Sequence, residues 1–217
     1  MKKVFTILTL FCCFSIATQA QSKTGTFGLQ VEAGYNFELS ESFSFNLSGN
    51  SHADFNHQAW NIAVSPGYHV TDKLFAGVGV AFYDYDYNRV INNIYGGDES
   101  EKIEVNSSFV SLPIYAHGTW KFRASNRPSM FISMKAGYGI ILKNDYSKNG
   151  VISADYTGGL YLSPSVGYMY PINDKQAISL SVSYDHQKYT AAVKADDGNF
   201  DHDRTNSTFG VKLGWAF

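Results

Sequence analysis

The stretch AFYDYDYNRV (81–90) sets Tyr83, Tyr85 and Tyr87 against Asp84 and Asp86 in strict alternation. Phenols and carboxylates this close could hold a metal, supply a catalytic tyrosine or make an adhesive sheet edge. A second acidic stretch, DDGNFDHD (196–203), has the glycine and carboxylates of a calcium loop. It lacks the spacing and closing glutamate of an EF-hand, so it reads as a solvated loop, with calcium or lipopolysaccharide-bridging cations as candidate partners. A third candidate is His186 beside Asp185, with several serines nearby. Hydrolysis by a triad needs nucleophile, base and orienting acid within hydrogen-bond reach. Adjacent residues of a strand face opposite sides, so this pair cannot work together there. The other histidines, His52, His57, His69, His117 and His202, are scattered, and no nucleophile motif accompanies any of them. The expectation is a non-enzyme with no catalytic, metal or cofactor-binding residues and no cofactor.

What positions these residues is set by the whole chain. Its start, MKKVFTILTLFCCFSIATQAQS, has a basic end, an apolar run over 4–16 and a small-residue cleavage site. That is the layout of a secretory signal peptide, predicted over 1–20 with cleavage after Ala20 and a single domain over 21–217. The run is short for a transmembrane helix. Cys12 and Cys13 are the only cysteines and leave with that peptide. Disulfides and Cys-based zinc or nucleophile sites are thereby excluded from the mature chain. A formal charge of −2, with no basic run, argues against nucleic acid as a partner. Aromatics at 16% with 19 glycines and 5 prolines favour strands over helices.

Period-two alternation recurs almost everywhere after residue 26. In TFGVKLGWAF, Phe209, Val211, Leu213, Trp215 and Phe217 point one way, and Thr208, Gly210, Lys212, Gly214 and Ala216 the other. In AISLSVSYD, Ile178, Leu180, Val182 and Tyr184 oppose three serines and Asp185. About eight such segments occur, each long enough to cross a bilayer when tilted. Short connections (71–73, 123–128, 173–175) alternate with long ones (roughly 38–58, 88–102, 143–155 and 188–203). The prediction is all-β: an eight-stranded antiparallel up-and-down transmembrane β-barrel with short periplasmic turns and four longer outer loops.

A soluble barrel also alternates, with its apolar face inward. The polar face discriminates. Here it is mostly Gly, Ser and Ala, which suits a narrow lumen and not a solvated surface. The other face is large, apolar and nearly uncharged, as hydrocarbon demands. Trp60 is expected at an outer strand end, and Trp120 and Trp215 at inner ends, forming two interfacial girdles.

The ending VKLGWAF and the segment SFVSLPIYAHGTWKF (108–122) carry a family resemblance. Together with the strand pattern over 22–217, they make the chain similar to the small outer-membrane β-barrel proteins. These are the OmpA-transmembrane-domain and OmpX-like superfamily, including members called porin-like. The resemblance implies that Val211, Leu213, Trp215 and Phe217 form the carboxy-terminal signal read by the barrel-assembly machinery. It also implies an outer-membrane location in a Gram-negative bacterium, with lipid and lipopolysaccharide as surroundings.

Within such a lumen, Glu32, Lys135 and Lys212 form a charge network, with His69 and Asp185 nearer the ends. Unpaired buried charges cost several kcal/mol each, so Glu32 is expected to pair with Lys212 or Lys135. Neighbouring strands one and eight favour Lys212. Tyr83, Tyr85 and Tyr87 face inward toward the outer rim, while Asp84 and Asp86 face outward and must lie above the hydrocarbon. The functional expectation is an envelope or surface-binding role exercised through the outer loops. The alternatives are a conduit for small solutes or hydrophobic molecules and, ranked lower, a lipid-modifying enzyme.

Overall fold

The computed structural model describes residues 24–37, 43–46, 50–93, 101–123, 127–146, 153–195 and 198–217. Side chains are described over 24–37, 58–86, 108–123, 127–142, 157–190 and 205–217. The signal-peptide assignment, Tyr87, His52, His57, His202 and the acidic stretch 196–203 therefore lie outside the described residues or side chains.

All the regular structure described is β. The strands are β1 (Phe27–Phe37), β2 (Phe43–Asn46), β3 (Asn50–His69), β4 (Leu74–Asn93), β5 (Glu101–Lys121), β6 (Ser129–Tyr146), β7 (Ser153–Thr157), β8 (Gly159–Asn173), β9 (Gln176–Ala195) and β10 (Gly198–Ala216). All pairings are antiparallel, in the order β1-β10-β9-β8-β6-β5-β4-β3, and β1 pairs again with β3. That last pairing closes the sheet into a barrel of eight staves. β2 folds back on the outer end of β3, and β7 and β8 share one stave against β9.

Closure follows from the solvent. Hydrocarbon offers no partner for backbone N–H and C=O groups, so a free edge costs several kcal/mol per group. β1 is satisfied on both sides: Val31 lies opposite Val64 of β3 and Trp215 of β10. The seam continues to the end of the chain, where Leu29 and Phe217 exchange backbone bonds of 2.9 and 3.2 Å.

The two faces separate as the alternation requires. Val78 and Leu213 are 65% and 63% exposed, and Ile114, Leu180 and Val182 also face outward. The buried set is mixed, with aromatics such as Phe75, Tyr83 and Tyr161 beside polar groups: Lys135, Lys212, Asp185, Asn36 and Gln187 lie inside with several serines. This inverts the arrangement of a water-soluble protein, whose exposed surface would not carry these aliphatics together. Glycine lets some staves approach closely. A Cβ at Gly137 would stand 2.0 Å from the carbonyl oxygen of Ile114.

The ladders run further than periodicity alone predicts. β4 and β5 stay paired out to Asn93 and Glu101, and β9 and β10 to Ala195 and Gly198. Most of the outer connections expected over 88–102 and 188–203 are thus strand. The 21 residues of β5 span ~70 Å along the strand, a height of about 50 Å at usual tilts, against an apolar band of about 25 Å. The outer part of the barrel stands beyond the membrane, where no apolar face is demanded. There the alternation fades while the hydrogen-bonded ladder persists.

Leu213 lies about midway along the apolar stretch of β10, between Phe209 and Phe217. Leu213→Arg is expected to cost about 2–4 kcal/mol, the price of a charge at the bilayer midplane. Urea-dependent folding into lipid vesicles measures it. A cost near zero means that this face does not meet lipid.

Candidate functional site

The lumen is the place where the chemistry-bearing residues meet. Each inward position comes from the pleat: in β10, Thr208, Gly210, Lys212 and Gly214 alternate with the lipid-facing set and are buried. Three layers follow from the inner end outward.

The inner layer is built on imidazoles. His117 Nε2 lies 2.9 Å from Ser133 Oγ and 3.1 Å from Thr119 Oγ1. Phe75 stands edge-on between His69 and His117, with centroids 5.4 and 5.6 Å away. His69 is at the inner mouth, where its backbone bonds Gly25 and Thr26.

The middle layer holds two ion pairs. Lys135 Nζ donates to Glu32 across the lumen and stands 5.6 Å from the Tyr115 ring centroid. β1 and β6 are opposite staves, so this pair spans the barrel. Lys212 Nζ donates to Asp185 at 2.9 Å and to Ser163 Oγ at 3.2 Å, with both ion-pair side chains 2% exposed. Asp185 also accepts from Asn36 and, at 3.1 Å, from the Tyr83 hydroxyl. Tyr83 and Tyr161 join their hydroxyls at 2.8 Å. Asn36 in turn donates to Thr208 at 3.0 Å and accepts from Asn61 at 2.6 Å. Two lysines and two carboxylates make the layer formally neutral.

The outer layer is aromatic. Tyr83 stacks on Tyr85 at 5.5 Å, Tyr85 on Phe109 at 4.5 Å, and Phe109 meets Tyr189 at 5.5 Å. Beside them, Gln187 donates to Ser111 at 2.7 Å while its Oε1 is buried without a partner.

Three expectations are corrected here. Glu32 pairs with Lys135 and not with Lys212, the partner favoured by neighbouring strands. Lys212 stands opposite Gly34, two residues outward of Glu32, and Asp185 is within its reach. Asp185 is not near an end of the lumen but anchors its middle. Tyr83 and Tyr85 do not form an open rim: they face inward but are 1% and 2% exposed, packed in the interior. Asp84 faces outward and accepts from Trp60 Nε1 at 3.2 Å. Trp60, Trp120 and Trp215 are 44%, 44% and 43% exposed, the first on the outer side and the other two near the inner turns. Val211, Leu213 and Trp215 face outward, and Trp215 stacks on Phe217 at 5.9 Å.

Asp185 and His186 do face opposite ways. Asp185 is in the lumen, while His186 Nδ1 lies 3.0 Å from Ser207 Oγ on the outside and its ring stacks on Tyr184. No group of three metal-ligating side chains occurs among the described residues. Sequence reasoning passed over Tyr161, Tyr115, Asn36, Asn61 and Ser163. Their inward parity was readable, but nothing local shows that they converge.

Removing one partner of a buried pair strands the other, at about 3–5 kcal/mol. Lys135→Met is expected to cost that much, and Glu32→Gln with Lys135→Met to recover most of it. Urea titration of the folded, heat-modifiable form reads both. Coupling of Glu32 to Lys212 in place of Lys135 in a double-mutant cycle contradicts the pairing.

The family profile of the outer membrane protein beta-barrel domain matches residues 6–217. No curated protein matches the chain by sequence. Among solved structures, the outer membrane protein OprG from Pseudomonas aeruginosa is similar, with 13% identity, 90% of this chain and 97% of that one covered, and a TM-score of 0.60. Neisserial surface protein A is similar at 13% identity, with 88% and 95% covered and a TM-score of 0.50. At such identities the likeness is one of fold. With its lipid-facing strands and closed seam, the chain belongs to the outer membrane protein beta-barrel domain family and is a protein of the Gram-negative outer membrane.

Proposed function

We propose that the protein is a non-enzymatic, occluded barrel that serves the cell surface through the part standing beyond the membrane, in envelope integrity or in binding a surface ligand. In this reading it is exported by the leader over 1–20 and inserted by the barrel-assembly machinery through the ending at Val211, Leu213, Trp215 and Phe217. The observation that carries it is the filled lumen. Lys212, Asp185, Tyr83 and Tyr161 meet in the middle, each 2% exposed or less. A chain whose interior is filled by side chains bonded to one another across the middle has its free recognition surface at the ends. The ladders that continue outward make that surface a stiff one.

A second reading, a conduit for hydrophobic molecules, has one observation in its favour. Pairing of β6 with β8 stops at Gly139 and Gly159, and further out β7 pairs with β9. The aromatic layer of Tyr85, Phe109 and Tyr189 lies inside near that level. Tyr138 closes the junction by donating to the Gly158 carbonyl at 2.8 Å.

Planar-bilayer recording separates the readings. The native chain is expected to show no sustained conductance, whereas Asp185→Ala with Lys212→Ala empties the centre and is expected to introduce brief openings. Steady conductance from the native chain contradicts occlusion. For the surface role, exchanging residues 94–100 for a short Gly-Ser link is expected to abolish binding to whole cells or envelope fragments. Unchanged binding removes that connection from the proposal.

A further inference from the structure

The inner end of the barrel carries charge that the lumen does not use. The inner turns and strand ends bear Lys73, Arg123, Arg127 and Lys175 against the carboxylates Asp72 and Asp174, with Lys121 buried beside them. Lys73, Arg123, Arg127 and Lys175 are exposed. Among the described residues, none of these four has an ion-pair partner within 4.0 Å. One of the two acids is already engaged: Asp72 Oδ1 accepts from the Thr24 hydroxyl at 3.0 Å.

Depth decides what such a collar meets. Arg123 follows Trp120 and Phe122, which are 44% and 55% exposed to the outside. Lys73 follows Val70, and Lys175 follows Tyr170 and Ile172, all half exposed. The backbone ties these turns together, with Lys121 N donating to the Lys73 carbonyl at 2.8 Å and Arg123 N to Ser129 Oγ at 2.9 Å. A spacing of one to five residues past lipid-facing side chains puts these cations at headgroup level in a barrel whose apolar band ends there. A polymer or protein deeper in the periplasm would lie beyond comfortable Coulomb reach, given a screening length of about 8 Å.

We propose that this collar binds the phosphate-bearing headgroups of acidic phospholipids in the periplasmic leaflet, so that the barrel selects anionic lipids around its inner rim. Arginine suits phosphate through its planar fork, and lysine as a point charge. Basic residues beside an anionic leaflet are each attracted to it over about a Debye length. The selection is independent of what the outer end recognises.

Trp120 and Trp215 report on the inner rim directly. The mature chain, refolded into vesicles of phosphatidylcholine doped with brominated phosphatidylglycerol, is expected to show several-fold preferential quenching. The reference is brominated phosphatidylcholine at the same fraction. Raised salt reduces the preference. Combining Lys73→Gln, Arg123→Gln, Arg127→Gln and Lys175→Gln is expected to bring the ratio close to one, with heat-modifiability retained. Lys188→Gln, at an exposed position toward the outer end, leaves it unchanged. If the fourfold variant does not fold, Arg123→Gln and Lys175→Gln are read singly, each with a partial loss. A native ratio near one, or a preference that survives the substitutions, overturns the proposal. So does binding to purified peptidoglycan without lipid preference, which would assign the collar to a different partner.

Discussion

The double pairing of β1, with β3 on one side and β10 on the other, is the contact on which the rest of the molecule depends. Without it the sheet has two edges in hydrocarbon, each a row of unsatisfied donors and acceptors. With it, the number of staves is fixed at eight and so is the radius. An eight-stranded barrel has room inside for side chains and little else. The interior must then be filled, and the pleat delivers to it the polar half of every strand. Polar groups removed from water have to find one another. The two ion pairs and the Tyr83–Tyr161–Asp185 cluster are the solution this sequence adopts.

The network is cross-braced as well as neutral. Glu32 and Lys135 come from opposite staves, as do Tyr83 of β4 and Asp185 of β9. Bonds across the lumen resist flattening of the barrel, which bonds within the wall do not. Lys212 and Asp185 come from neighbouring staves and share Ser163 and Tyr83 as further partners of the ammonium. These bonds are made together in one arrangement. The network ties the interior to one set of rotamers, and a change at one member is felt by the others.

Much of this was legible in the sequence, and the remainder was hidden for physical reasons. Alternation gave the strands and sorted inward from outward, from Phe27 to Phe217, because lipid imposes a sharp apolar demand on every second residue. It placed Asp84 on the outside, where Trp60 donates to it. It could not say that Tyr83 and Tyr85 end in the packed interior and not at an open mouth. How far the wall rises above them depends on ladders whose outer halves no longer alternate. Nor could it pair Glu32 with Lys135. Neighbouring strands are readable from chain order, but which charges meet across a lumen depends on stagger around the whole barrel. The AFYDYDYNRV stretch thus serves two parts of the wall. Tyr83 and Tyr85 begin the aromatic layer, and Asp84 faces outward to accept from Trp60.

Occlusion of the lumen at its middle can be read from thiol accessibility. A chain starting at Gln21 contains no cysteine, so Ser163→Cys places a single thiol beside Lys212, at a position 1% exposed. In folded protein reconstituted in vesicles, the account predicts that small water-soluble thiol reagents added on both sides leave this cysteine unmodified until the barrel is unfolded. Rapid, complete labelling of the folded barrel, at the rate of a thiol in an exposed turn, would contradict it.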